Sequence, residues 1–448
     1  MAELLSTLAF GYIDNREITI LELSDSTIKF TCSFILNIDS YIIRLKLYDI
    51  DNNRYQEFIT KAITLQTECE KIGNNYIASI KEINYPTEYR KLLNVFKLIM
   101  GRENKNHELQ KLNSFDGISK LYIPYPYEKD IERCNSYSNQ IHEWFGKYSY
   151  SDDYIYRFNE LTKNIEFALV INNYDDYSNI LDESVKKFCL KKYKLSILQN
   201  HPIAKKKITR IYVGNEYCPN LFPDLNRLEK ILSKLTKEKY SITICYPFLQ
   251  ESRLKKVDEL LDYIKQILSQ NQSIEFVIND WGMLQYLIEK KVNAKLILGS
   301  LLNKRKKDPR TLYWVGYDQD KDNNKVNNLN SAGFIRYLNN FGIERYEFED
   351  VNQKILLPTG NHSLHTPYYQ INTSAFCNLY ASVNNLNTNN VLNCKQYCKN
   401  IYSSYPKHLD MIGKGNSIFG FNRKSVLFDL DRLEYYVCNH IDRIVLTI

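Results

Sequence analysis

Three cysteines late in the chain are the residues whose type and spacing point most directly to chemistry. Sixteen residues separate Cys377 from Cys394, and three more separate Cys394 from Cys398. Thiolates are soft ligands that select zinc or iron–sulfur clusters, and either centre needs a fourth ligand. Cys218 is the best candidate, because it follows the first strand of a predicted strand–helix region. The alternative is that these four are unrelated members of the ten cysteines in the chain.

Two polar segments follow predicted strands and offer side chains for binding. Asn279 and Asp280 come directly after an apolar strand, where an α/β enzyme positions its substrate, although Asp280 could equally cap the next helix. Asn303, Arg305 and Arg310 belong to a basic segment that follows a later strand. Such a segment can contact phosphates or a carboxylated substrate, and a solvated loop is the alternative.

Histidines and carboxylates upstream of the late cysteines invite a metal-binding or acid–base interpretation. His362 and His365 have the spacing of a metal-binding pair, but we expect them to be embedded in a strand or exposed. Glu347, Glu349 and Asp350 end a predicted strand, and one of them could be a general acid or base. We expect these carboxylates to be solvated charges instead.

The sequence lacks the signature motifs of several other enzyme classes. It contains no Gly-x-Ser-x-Gly elbow, no His-Glu-x-x-His helix and no Walker phosphate loop. The cysteines therefore remain the strongest chemical signal.

The composition is that of a globular protein. The chain has 448 residues, of which 44% are hydrophobic and 25% charged, so a substantial core needs no disulfide framework. A formal net charge of +7 permits anionic partners without demanding them. We see no signal peptide and no long uncharged apolar segment, and we expect a cytoplasmic protein that does not cross a membrane.

Residues 1–110 predict a small β-barrel or sandwich closed by a helix. Apolar alternation indicates several strands, and helical spacing follows at 86–100. This layout resembles a PilZ-like domain, in which an arginine pair grips a cyclic dinucleotide. Ser24 matches one position of that family's signature, and Arg16 stands alone where the pair would be. We therefore expect the module to dock a partner or another domain of the chain.

The remainder of the chain predicts an α/β fold class. Residues 111–205 indicate a mixed or helical connecting segment that ends at a lysine run. Residues 206–448 alternate between strands and helices, and the clearest strands are 208–214, 241–246, 273–278 and 294–299. Parallel βαβ units of this kind favour a (β/α) barrel-like domain, in which catalytic groups lie on the loops after the strands.

The cysteines and two strand ends together resemble peptidase family U32, most closely its oxygen-independent hydroxylase branch. The order of the four cysteines and the segments 277–282 and 298–303 carry this resemblance, which covers a little over half of the chain. It implies a 4Fe–4S cluster bound by the four cysteines named above. It further implies a substrate pocket lined by Asn279 and Asp280, with Arg305 as a contact for a carboxylated oxygen donor.

The leading hypothesis is an oxygen-independent hydroxylase, or a related modification enzyme, that acts on RNA or a small molecule. A homologous partner subunit, or a partner docked through the N-terminal module, is compatible with this hypothesis. A different class is a zinc-stabilised binding or regulatory protein, in which the same cysteines only hold structure. A U32-type peptidase is the third hypothesis, although the sequence shows no protease nucleophile motif.

Overall fold

The structure is a computed structural model that describes most of the chain. The described residues are 9–32, 34–36, 40–49, 54–70, 73–94, 149–195, 198–270, 273–307, 325–351, 353–375, 377, 380, 394, 396, 398, 403–404 and 410–448. They form two closed barrels and one smaller sheet.

The first barrel has six antiparallel strands, which confirms the small β-barrel predicted for the N-terminal residues. Its strands are β1 (Ala9–Ile13), β2 (Arg16–Leu23), β3 (Thr27–Cys32), β4 (Ser40–Asp49), β5 (Arg54–Glu70) and β6 (Gly73–Lys81). The pairing order β1-β2-β3-β6-β5-β4 closes on itself around alternate side chains such as Ile28 and Phe30. A helical segment at 86–94 packs on this core through Tyr89 and Leu93. The predicted continuation of that helix to residue 100 lies outside the described residues.

Ser24 and Arg16, the two residues compared with the PilZ-like signature above, contact nearby residues. Ser24 accepts a hydrogen bond from the Thr27 N–H at 2.9 Å in the turn between β2 and β3. The carbonyl of Ser24 accepts a second bond from the Tyr89 hydroxyl, also at 2.9 Å. Arg16 lies 3.8 Å above the ring of Phe34. These contacts stabilise a turn and the start of a strand in the barrel.

The second barrel has eight parallel strands that pair in sequence order. Its strands are β7 (Glu166–Ile171), β8 (Ile208–Gly214), β9 (Ser241–Cys245), β10 (Ile274–Ile278), β11 (Lys295–Leu298), β12 (Arg345–Glu349), β13 (His362–Thr366) and β18 (Ile441–Leu446). Because β18 pairs with β7, the ring is closed. β7 lies upstream of residue 206, within the segment predicted to connect the domains. Its short apolar run lacks alternation, and periodicity alone does not separate such a run from a buried helix.

Helices surround the second barrel and bury their apolar faces against its strands. They are α1 (Asp152–Leu161), α2 (Tyr174–Asp182), α3 (Val185–Leu195), α4 (Leu225–Lys237), α5 (Leu254–Ser269), α6 (Trp281–Glu289), α7 (Ala332–Asn339) and α8 (Leu430–Cys438). In α4, Leu228, Ile231, Leu232 and Leu235 are buried at the spacing of one helix face. Among the helices described, none combines the length and apolar character that a membrane span requires.

A four-stranded antiparallel sheet is inserted between β13 and β18. Its strands are β14 (Tyr368–Thr373), β15 (Ser403–Ser404), β16 (Met411–Lys414) and β17 (Ser417–Phe421), paired in the order β14-β17-β16-β15. The chain enters this sheet directly from the carboxyl end of β13. The three late cysteines lie between β14 and β15, so the insertion carries them to that end of the barrel.

Charged side chains fill the barrel interior near the start of its strands. Arg443 donates to Glu166 at 2.6 Å and to Glu275 at 2.8 Å, and Arg210 lies 3.0 Å from Glu275. Burial raises the pKa of Glu275, but hydrogen bonding and the charges of the two arginines outweigh it and leave that pKa lowered. This network satisfies buried charges at the end of the barrel opposite to the loops that follow the strands.

Candidate metal centre and adjoining cavity

The four cysteines predicted as ligands line one cavity at the carboxyl end of the parallel strands. This cavity has a volume of about 60 Å³, and its wall includes Cys218, Cys377, Cys394 and Cys398. Asn215 positions the first of them, because its Oδ1 accepts the Cys218 N–H at 2.8 Å in the loop after β8. The structure therefore brings one cysteine from an early loop together with three from the inserted segment.

Two of the sulfur atoms accept hydrogen bonds from backbone N–H groups. The N–H of Tyr380 donates to Cys377 Sγ at 3.4 Å, and the N–H of Gln396 donates to Cys394 Sγ at 3.3 Å. The backbone therefore helps to fix the position of both sulfur atoms in the wall of the cavity.

Burial opposes ionisation of the other two thiols in the metal-free protein. It raises the pKa of Cys218 to about 12, and the charges of the other three cysteines add to this effect. Burial also raises the pKa of Cys398, which the positive charge of Lys414 lowers in part. The thiols are thus close enough to repel one another when ionised, and a bound cation would favour thiolate at each.

The sulfur ligands in the wall of this cavity suit a soft metal centre. At the described positions, they do not form a ready site for one metal ion. Among the described residues that line the cavity, sulfur is the ligand type present, with no histidine or carboxylate. Within the described ranges, no three His, Cys, Asp or Glu side chains stand close enough to hold one metal ion. Tetrahedral zinc needs each sulfur about 2.3 Å from a common point. Among the described residues, the thiols do not form such a group.

A second, larger cavity holds the other predicted site residues. Its volume is about 300 Å³, and its lining includes Asn279, Asp280, Asn303 and Arg305. Arg310 lies outside the described residues. The loops after β10 and β11 therefore meet at one cavity, as the parallel arrangement of these strands requires.

Asn279 and Asp280 are held in place by the surrounding backbone and by one buried carboxyl group. Asn279 Nδ2 donates to Glu216 Oε2 at 3.0 Å, and its Oδ1 accepts the Leu301 N–H at 3.3 Å. Asp280 accepts the Met283 N–H at 2.9 Å and caps α6, which is the alternative role considered for it above. Both side chains also border the second cavity.

The two cavities share a wall formed by β14 and β17. Thr373, which lines the second cavity, is hydrogen-bonded through its hydroxyl to that of Ser417 in the first, at 3.0 Å. Asn416 of the first cavity donates to the carbonyl oxygen of Ser374 in the second, at 2.7 Å. The second cavity is therefore adjacent to the cavity that the four cysteines line.

Glu216 is a buried carboxyl group that the sequence analysis missed. Burial raises its pKa, and the nearby His365 lowers it in part. It follows β8 and precedes Cys218 in the same loop, and it accepts the hydrogen bond from Asn279. Its position after a barrel strand is the signal that could have identified it.

The expectation that Glu347, Glu349 and Asp350 are solvated is wrong, since all three are buried. Glu347 lies inside the barrel and is bonded to His365, while Glu349 forms an ion pair with Lys307. Strands of a closed parallel barrel are covered on both faces, so charges at their ends find partners within the protein.

His362 and His365 are embedded in β13, as expected, but have separate surroundings. Burial lowers the pKa of His365, but its 2.7 Å contact with Glu347 outweighs this and raises the pKa to about 8. Burial lowers the pKa of His362 to about 4, and its ring stacks on Tyr346 at 4.9 Å. The two rings therefore do not form a metal-binding pair.

Comparisons with known proteins add little to this description. No family model matches the chain, and no curated protein is detectably similar. Among solved structures, a U32 peptidase aligns with a TM-score of 0.28 and 7% identity, over 63% of this chain and 93% of that one. A likeness of that size carries no argument about function, so the proposals that follow depend on the side chains of the site.

Proposed function

We propose that the four cysteines bind a 4Fe–4S cluster and that the chain is a modification enzyme whose substrate lies in the adjoining cavity. The observation that carries this proposal is the convergence of all four thiols on one cavity. Cys218 is far from the other three in sequence, so proximity along the chain does not explain their meeting. Such a cluster, when bound, supplies one-electron redox chemistry.

The all-thiol set of cysteines in this cavity suits a cluster as well as a single zinc ion. A multi-iron cluster takes its thiolates on different irons, so its ligands are spread more widely than those around one ion. Iron and sulfide content therefore separates the two centres. The N–H bonds to Cys377 and Cys394 would stabilise the anionic ligands of either centre.

We further propose that the reaction is an oxygen-independent hydroxylation of RNA or a small molecule. Oxygen transfer from a carboxylated donor oxidises a substrate C–H group to C–OH by two electrons and reduces the donor by two. Asn279 and Asp280 would orient the substrate, and Arg305 would bind the carboxylate of the donor. What supports this assignment is that all three line the cavity that adjoins the thiols.

Metal analysis of anaerobically purified protein tests the proposal. We expect about four iron and four sulfide per chain with broad visible absorption, and loss of both in Cys394→Ala. Cys438→Ala is the matched control, because Cys438 is exposed and lies at the end of α8. Colourless protein without iron would contradict the proposal. One zinc without sulfide would favour the zinc-stabilised binding protein instead.

A further inference from the structure

Arg305 is a partly buried cation, and two of its guanidinium nitrogens have no hydrogen-bond partner among the described residues. These are Nε and Nη1, and both are shielded from solvent. Burial lowers the pKa of Arg305, yet a guanidinium group stays protonated in proteins. Because buried polar atoms normally make hydrogen bonds, two unpaired guanidinium nitrogens need an explanation.

The neighbouring acids do not provide the missing partner. Lys307 forms an ion pair with Glu349, and Arg432 lies 3.3 Å from Asp350. The charges of Glu349 and Arg432 both act on Arg305, so the three side chains lie in the same region of the protein. Among the described residues, each of the two carboxylates, Glu349 and Asp350, therefore already contacts another cation.

A second unpaired polar atom lies in the same cavity. Asn303 donates through Nδ2 to the carbonyl oxygen of Glu347 at 3.1 Å, while its Oδ1 is buried without a partner in the part of the chain that is described. Asn303 and Arg305 both line the cavity of about 300 Å³. The cavity therefore presents unused guanidinium donors and an unused neutral acceptor, with room for a small molecule.

We propose that this cavity binds a small organic anion, whose anionic oxygen group pairs with Arg305 and whose hydroxyl or amine group donates to Asn303. A carboxylate and a phosphate share the required chemistry, since guanidinium binds both. The inference rests on the proposed function in treating the cavity as the substrate pocket and Arg305 as the contact for an anionic group. Binding can be measured without turnover and without iron.

Calorimetric titration of the full chain tests the proposal with malate, glycerol 3-phosphate and uncharged glycerol. We expect at least one of the two anions to bind and glycerol not to bind, with malate alone indicating a carboxylate site and glycerol 3-phosphate alone a phosphate site. Arg305→Gln should weaken anion binding about tenfold or more. Arg336→Gln, at an exposed position of α7, is the control and should bind as the wild type does. Failure of both anions to bind the wild type, or equal binding to Arg305→Gln, would overturn the proposal.

Thermal unfolding separates a ligand-binding role of Arg305 from a structural one. Without added anion, Arg305→Gln should melt at or above the wild-type temperature, because it removes shielded guanidinium nitrogens that make no hydrogen bond. A saturating anion should raise the melting temperature of the wild type alone. A marked fall in the melting temperature of the ligand-free variant would show that Arg305 serves structure, and would overturn the proposal. Iron content, measured in parallel, reports on the proposed function separately.

Discussion

At the scale of single residues, His365 and Glu347 form a buried ion pair. The two side chains are 2.7 Å apart inside the barrel, and the Tyr212 hydroxyl donates to the same carboxylate at 2.9 Å. Burial raises the pKa of Glu347, but its bonds with His365 outweigh burial and leave that pKa below its ordinary value. Because His365 has a pKa of about 8, both partners are charged at neutral pH.

Because of this pair, we expect the free energy of unfolding to fall as the pH rises above neutral. His365 has a pKa of about 8 in the folded protein and an ordinary value of 6.5, so its contribution is complete below about 6.5 and is lost as pH rises through about 8. Relative to His365→Gln, the wild type should lose about 2 kcal/mol of unfolding free energy over that range. Urea denaturation at about pH 6 and about pH 9 measures this difference.

A second histidine variant is the control for this measurement. His440 is exposed with a φ of 78°, a conformation that asparagine tolerates, so His440→Asn should keep the wild-type pH profile. Parallel profiles for the wild type and His365→Gln would show that the ion pair does not carry the effect.

At the scale of elements, the ends of β10 and β11 approach so closely that only glycine fits at position 299. A Cβ atom there would overlap Asn279 Oδ1 and would lie 2.8 Å from Val277 Cγ1. The Gly299 N–H also donates to the Ile278 carbonyl oxygen at 2.7 Å. The glycine thereby allows Asn279 to reach both Glu216 and the second cavity.

Gly299→Ala should therefore destabilise the protein by about 1–3 kcal/mol, the usual cost of overpacking. Gly333→Ala is the matched control on the exposed start of α7, where the nearest atom to a new Cβ is Ser331 Oγ at 3.8 Å. That change should be neutral or stabilising by up to about 1 kcal/mol, because alanine favours helix. Urea denaturation distinguishes the two, and equal effects would refute the close approach.

At the scale of the whole molecule, the described residues form two large hydrophobic cores with no residue in common. One contains Phe30 inside the antiparallel barrel, and the other contains Phe276 beside the parallel barrel. Each core belongs to its own closed sheet. We therefore expect the two barrels to unfold as separate cooperative units.

Calorimetry with one variant in each core tests this expectation. Phe30→Ala should lower one thermal transition and Phe276→Ala the other, since each change costs about 3–5 kcal/mol within its own core. Each variant is the control for the other. A single transition that both variants shift equally would mean that the barrels unfold together.

Local pattern predicted the parts of this protein that depend on neighbours in sequence. Alternation at β2 and the apolar face of α4 repeat with the period of the element, so burial on one side can be inferred without a structure. Asp280 illustrates the same point, because capping depends on a residue three positions along the chain. Where a buried strand such as β7 lacks alternation, local pattern did not identify it.

The sequence by itself determined the α/β class, the N-terminal barrel and the set of cysteines worth attention, because composition and periodicity are properties of the chain alone. Only the tertiary structure decided that Cys218 lies beside the other three and that Glu216 contacts Asn279. It also decided that two nitrogens of Arg305 are shielded without a hydrogen-bond partner among the described residues. The physical reason is that burial and charge pairing depend on residues from distant strands, which closure of the barrel brings to one end.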